Sequence, residues 1–274
     1  MSKYIHYIVN KDKNISPFSK KCLDSFKNYL PDYEIKYWSI DDIDKIDDDM
    51  AKEISKIENY SLKKIFLEIY AMYQYGGIYI DQNLELVASI DDLIKESDSF
   101  LGLDERHHIS SSIWYEKKPK SYLATKVLDK YKKYYNEALY DNYFVNLPLL
   151  FREVLTDYRP EVTTTQKLKH GITLYSYDYF YPLSYDGHTK NKSDNTRVLN
   201  YFSYDFITPK GKIKNFCYTI LGNVLAKKVF VFFSFGKKTI KFILKPAFSY
   251  KEYKYKNDEK HKKLVKSTLD NLKK

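Results

Sequence analysis

The stretch Asp81-Gln82-Asn83, with Glu85 two residues further on, gathers side-chain oxygens at alternate positions. Alternate residues of an extended chain point the same way, so Asp81, Asn83 and Glu85 are expected on one side. A hard divalent cation such as Mn²⁺ or Mg²⁺ takes ligands of this kind and commonly bridges substrate phosphates. Asn83 offers an uncharged carbonyl oxygen, so the set holds a cation more weakly than two carboxylates do. The same residues also read as a strand-end turn in which Asp81 caps backbone N–H groups. His6, inside an apolar run, reads by itself as a core histidine bonded to backbone. His107 and His108 are adjacent, point to opposite faces in an extended chain and read as surface residues. The chain has no glycine-rich phosphate loop, no G-x-S-x-G and no Cys/His metal spacing.

The elements around Asp81 are those of an α/β protein. Residues 4–9, YIHYIV, form a short apolar strand. Ser16 then caps a helix with Pro17 at its first position, and Phe18, Cys22, Phe26 and Leu30 form its apolar stripe. After the Pro31-Asp32 break, Glu34 to Trp38 reads as a second strand. This β-α-β order predicts parallel strands. A further helix is expected from a Ser61 cap, with Leu62, Ile65, Phe66, Ile69, Met72 and Tyr73 on one broad face. Gly76 suits the position beyond its end. GIYI follows as a strand and delivers Asp81 to its C-terminal end, the edge where open α/β sheets bind ligands. Later expectations are a strand at SFLGL, helices near 119–138 and 146–157, and strand-like runs at GITLY and 197–206.

Charge divides the chain. Residues 1–205 hold 28 basic and 32 acidic residues, net −4, while residues 206–274 hold 18 basic and 4 acidic, net +14. Such asymmetry predicts an appendage for an anionic surface. Phe and Val beside lysines favour a membrane surface over nucleic acid, although Tyr interleaved with Lys in KEYKYK also suits stacking on bases. A solvated helix is the third reading. The apolar run 216–235 is interrupted by Lys227 and Lys228, so no bilayer span is expected. No secretory signal is expected in the first residues. Cys22 and Cys217, distant in sequence, make no disulfide framework and fit a reducing, cytoplasmic setting.

Taken in order, several stretches resemble one family: KYIHYIV, the helix carrying Cys22, Ser25 and Phe26, the Pro31 to Trp38 turn and strand, YGGIYIDQN, FLGLDE, DYFYPLSY and Ser193-Asp194-Asn195-Thr196. Over roughly residues 3–206 the chain resembles the bacterial capsular-polysaccharide glycosyltransferases with a DXD sugar-binding region, glycosyltransferase family thirty-two. The resemblance implies a GT-A-like (Rossmann-like) α/β fold with a mixed, mostly parallel sheet over residues 1–206, followed by a basic segment at 207–274. It implies a nucleotide-sugar donor, a saccharide or lipid-linked acceptor, Mn²⁺ or Mg²⁺, and retention of anomeric configuration. By the same resemblance Asp81 is the catalytic carboxylate that contacts the metal or the ribose, Asn83 takes the place of the second aspartate, and His6, Tyr7, Gly76 and Gly77 serve the nucleotide. Three features depart from the family pattern. Lys64, Ile65 and Glu68 stand where S-D-x-x-R is common, Asn83 replaces an aspartate, and Asn200-Tyr201 replace two histidines. Two readings follow: an active transferase at the inner membrane face, using a cation held more weakly than usual or little metal at all, or an inactive homologue acting as partner or scaffold. A nucleic-acid-binding module is a third, and no nucleic acid is expected as partner of the first two.

Overall fold

The computed structural model describes residues 2–9, 15–141, 145–183 and 191–201. The basic segment 207–274, with Cys217 and the apolar run 216–235, lies outside these residues. So does Phe202-Ser203.

In chain order the elements are β1 (Tyr4–Ile8), α1 (Pro17–Tyr29), β2 (Glu34–Trp38), α2 (Asp49–Ser55), α3 (Tyr60–Tyr75), β3 (Gly77–Ile80), β4 (Leu84–Leu86), α4 (Asp91–Glu96), β5 (Ser99–Leu103), β6 (Ile109–Glu116), α5 (Tyr122–Asp141), α6 (Leu147–Val154), β7 (Gln166–Leu168), β8 (Ile172–Tyr175), α7 (Tyr177–Phe180) and β9 (Val198–Asn200). Seven strands form one sheet in the order β2-β1-β3-β6-β5-β8-β7, and β4 pairs with β9 in a second, two-stranded sheet. β1 runs parallel to β2 and β3, and β5 parallel to β8, while β6 is antiparallel to both β3 and β5. Five of the seven strands therefore share one direction, and β6 and β7 oppose it. This is the mixed, mostly parallel α/β arrangement expected of a GT-A-like fold.

The period of two along each strand divides the core. Ile8, Tyr79, Leu101 and Trp114 face α3, α5 and α6. Ile5, Tyr7, Ile78, Ile80, Phe100 and Tyr115 face α1, α4 and the small sheet. α1 begins as the sequence predicts, with Ser16 Oγ accepting from Ser19 N–H and Pro17 opening the helix. α3 does not start at Ser61. Asn59 is its cap, its Oδ1 accepting from Leu62 N–H at 3.1 Å. The same three-residue reach that made Ser61 a candidate is satisfied two residues earlier. The α3 stripe is buried as expected except for Tyr73, which is half-buried, and Glu68 is buried beside it. The strand β6 has no counterpart among the sequence expectations. It is the element that turns the parallel start into a mixed sheet.

Candidate active site

Asp81 leaves β3 at the C-terminal edge of the parallel strands and is fixed from both sides. Its backbone N–H donates to Ser112 O on β6 at 2.9 Å. The neighbouring Gln82 side chain donates to Ile8 O at the end of β1, also at 2.9 Å. Gln82 and Asn83 then form a turn, with Leu84 N–H reaching back to Asp81 O.

Because Tyr79 and Asp81 share one face of β3, both look toward α3. There Lys64 and Glu68, one helical turn apart, meet them. Lys64 Nζ lies 2.5 Å from Glu68 Oε1, 3.3 Å from Tyr79 OH and 3.4 Å from Asp81 Oδ1. The Tyr79 hydroxyl is 2.6 Å from Glu68 Oε1 and 2.7 Å from Asp81 Oδ1. It has one hydrogen and donates to one carboxylate at a time. With Lys64 donating to Glu68 and Tyr79 donating to Asp81, both carboxylate oxygens are satisfied. Glu68 is 5% exposed at its side chain, while Lys64 and Asp81 are 35% and 38% exposed. Glu68 is thus closed off from solvent, while Lys64 and Asp81 are each part-exposed.

Charge in this cluster follows burial and partners. Burial acts to neutralise Lys64, but the carboxylates of Asp81 and Glu68 outweigh it and hold the ammonium charged well above the ordinary lysine range. Burial raises the Glu68 carboxyl, with Lys64 opposing. The buried Tyr79 phenol is raised well above its usual range and stays protonated.

The residues named from the sequence do not all come here. Glu85 belongs to the second sheet. Its carboxylate meets Lys21 Nζ at 2.7 Å and accepts from Tyr201 OH at 2.6 Å. Burial opposes its ionisation, but these two partners outweigh it and lower its pKa. Asn83 is in the turn, its backbone carbonyl accepting from Tyr201 N–H at 3.0 Å. The expectation that Asp81, Asn83 and Glu85 share one side fails because the turn breaks the alternation that it assumed. His6 and Tyr7 do not line an open pocket, since both are fully buried. His6 Nε2–H donates to Gly76 O at 2.7 Å and Nδ1 accepts from Trp38 Nε1–H at 3.0 Å. Burial first, and then Lys36, hold its imidazole neutral, down to about 4. Gly76 and Gly77 sit at the opposite end of β3, with φ of +61° and +95°. A Cβ on Gly77 would lie 2.4 Å from Tyr4 O, and one on Gly76 2.8 Å from the Lys118 carbonyl carbon. The close approach that these glycines admit is by the chain's own backbone. His107 is half-buried rather than a surface residue, with φ of +61°.

A divalent cation suits this donor set poorly. The Asp81 oxygen nearest the cluster already accepts from a phenol and an ammonium, Glu68 is screened by Lys64, Asn83 is uncharged and Glu85 is paired elsewhere. Among the described residues no three His, Cys, Asp or Glu side chains gather as a metal site. Lys64 and Glu68 were legible in the sequence only as departures from a pattern. Their signal was an oppositely charged pair four residues apart, among the apolar residues Ile65, Phe66, Leu67 and Ile69.

Comparison with known proteins places this cluster within a recognised segment. Residues 17–100 match the family described as glycosyltransferase sugar-binding region containing DXD motif. That segment is glycosyltransferase-like, and it holds Lys64, Glu68, Tyr79 and Asp81. Where the motif reads Asp-x-Asp this chain reads Asp81-Gln82-Asn83. No curated protein matches the chain. Among solved structures, the PaToxG glycosyltransferase is 16% identical over 57% of this chain and 68% of its own, with a TM-score of 0.42. The galactosyltransferase LgtC, in complex with donor and acceptor sugar analogs, is 11% identical over 73% of this chain and 87% of its own, TM-score 0.41. Mouse xyloside xylosyltransferase 1 is 10% identical over 73% of this chain and 97% of its own, TM-score 0.41. At these identities and scores the likeness transfers no chemistry to this chain.

Proposed function

We propose that the chain is a glycosyltransferase that binds a nucleotide-sugar donor at the Asp81 edge and passes the sugar to a saccharide or lipid-linked acceptor. One observation carries this reading. The aspartate of a segment matching a DXD sugar-binding region stands, part-exposed, at the ligand edge of an α/β sheet beside a charged lysine. Breaking a sugar–diphosphate bond leaves negative charge on the departing phosphate, and a positive group fixed beside it stabilises that charge. Lys64 is positioned to supply this, with Asp81 and Glu68 orienting its ammonium. Retention at the anomeric carbon, a role in capsular or surface polysaccharide and docking of residues 207–274 on the inner membrane face belong to the same reading. They are supported by the order of the sequence motifs and by the +14 charge of the C-terminal segment. Among the described residues no helix is long and apolar enough to cross a membrane.

A second reading is a transferase homologue that binds a partner without turnover. The observation favouring it is that Asp81 Oδ1 is already satisfied within the chain. Thermal denaturation separates binding from its absence. The first reading expects a nucleoside diphosphate, tested in EDTA and in Mn²⁺, to raise the melting temperature, and Asp81→Ala to remove the shift. No shift with any nucleotide in either condition contradicts it.

A further inference from the structure

We infer that Lys64 takes the place of the divalent cation, so that a diphosphate binds at the Asp81 edge through an ammonium and without metal. This rests on the donor-binding reading above. The sheet presents Asp81 where a cation-bound diphosphate is expected, yet Lys64 Nζ stands 3.4 Å from Asp81 Oδ1 and fills that position with a covalently attached charge. Three features suit it to the role. Its short contact, 2.5 Å, is to the buried Glu68, which anchors the ammonium from behind. Its contacts to Tyr79 OH and Asp81 Oδ1 are long, at 3.3 and 3.4 Å, and these are the ones that a phosphate oxygen can replace. Lysine is also a recognised point-charge ligand for phosphate, with three donors on one atom.

The departures from the family pattern fall into place under this assignment. A lysine and a glutamate at positions 64 and 68 give one cation held by one buried acid. With that cation built in, a second carboxylate at position 83 has no metal to bind, and Asn83 stands there. Glu85, the remaining acid of the stretch, is bound to Lys21 and Tyr201 instead.

Calorimetric titration of the full chain with UDP and with GDP, each in EDTA and in Mn²⁺, tests this. The expected result is one nucleotide binding with the same Kd, within about twofold, in both conditions. Lys64→Met is expected to weaken that binding at least tenfold in EDTA while keeping the far-UV circular dichroism of the parent. Because Lys64→Met leaves Asp81 and Glu68 without their cation, Mn²⁺ is expected to recover part of the lost affinity in this variant only. Binding of the parent chain in Mn²⁺ but not in EDTA overturns the inference and leaves the donor-binding reading standing. Binding in EDTA that survives Lys64→Met overturns it as well. Binding of neither nucleotide in either condition overturns the inference, and the donor-binding reading is then decided by the thermal shift with the wider set of nucleotides.

Discussion

Gly77 shows how one position can carry opposite meanings. A glycine before a ligand-bearing strand reads as an opening for a nucleotide. Here it has φ of +95°, and an added methyl would meet Tyr4 O at 2.4 Å. Gly77→Ala is therefore expected to cost upward of about 2 kcal/mol of folding stability, from strain at positive φ and a backbone clash. Nucleotide affinity of the folded fraction should be unchanged. Urea denaturation and titration check the two halves separately. His6 teaches the same lesson. Its chemistry in an apolar strand reads as core, whereas the family resemblance places it in a pocket, and its two ring hydrogen bonds within the chain support the former. Lys64 and Glu68 were visible as exceptions, but not as partners of Asp81. Spacing along a helix tells which residues meet each other, not which strand residue waits beneath them.

Helix α3 carries the cation and strand β3 carries the acid, so the site depends on how these two elements are registered. The first turn of α3 is closed by Asn59. Asn59→Ala is expected to cost about 1 kcal/mol, and Ser61→Ala to fall within about 0.5 kcal/mol of the parent, as exposed substitutions do. Chemical denaturation of the two variants decides which residue caps the helix. The elements most legible in sequence were β1, α1, β2, α3 and β3, where the apolar period is regular. Strand β6 was not legible, for a physical reason. Its first half, Ser110-Ser111-Ser112, lies at the polar ligand edge, and its second half, Ile113 to Glu116, is buried on both faces. Neither half alternates. The turn at Gln82-Asn83 was likewise hidden, because Asp-Gln-Asn-Leu-Glu scans equally well as strand, and only the pairing of β4 with β9 takes Glu85 away.

Across the whole molecule, two buried titratable groups set opposite pH responses. Glu116, fully buried beside Ser99 and Trp114, is pushed up to about 7 by burial, with those partners opposing. A carboxyl raised in the folded state gives stability that is complete below its unfolded pKa and is lost as pH rises through about 7. His6, held down to about 4, gives stability that is present above pH 6.5 and lost as pH falls toward 4. Between about pH 4.5 and 6.5 the two slopes oppose each other. Glu116→Gln keeps the shape and removes one of them. Its stability relative to the parent is expected to grow by roughly 3 kcal/mol from pH 4.5 to 7.5. A pH series of urea midpoints reads this difference, and a flat difference contradicts the assignment.

The cluster of Lys64, Glu68, Tyr79 and Asp81 gives the molecule its one proposed chemical task, and donor turnover tests it. Mass-spectrometric detection of sugar and nucleoside diphosphate released from a panel of nucleotide sugars, run in EDTA and in Mn²⁺, is the decisive measurement. The expected result is release from one donor by the parent chain in EDTA, reduced at least tenfold in Asp81→Asn. Release from no donor in either condition, or release that Asp81→Asn leaves unchanged, contradicts it.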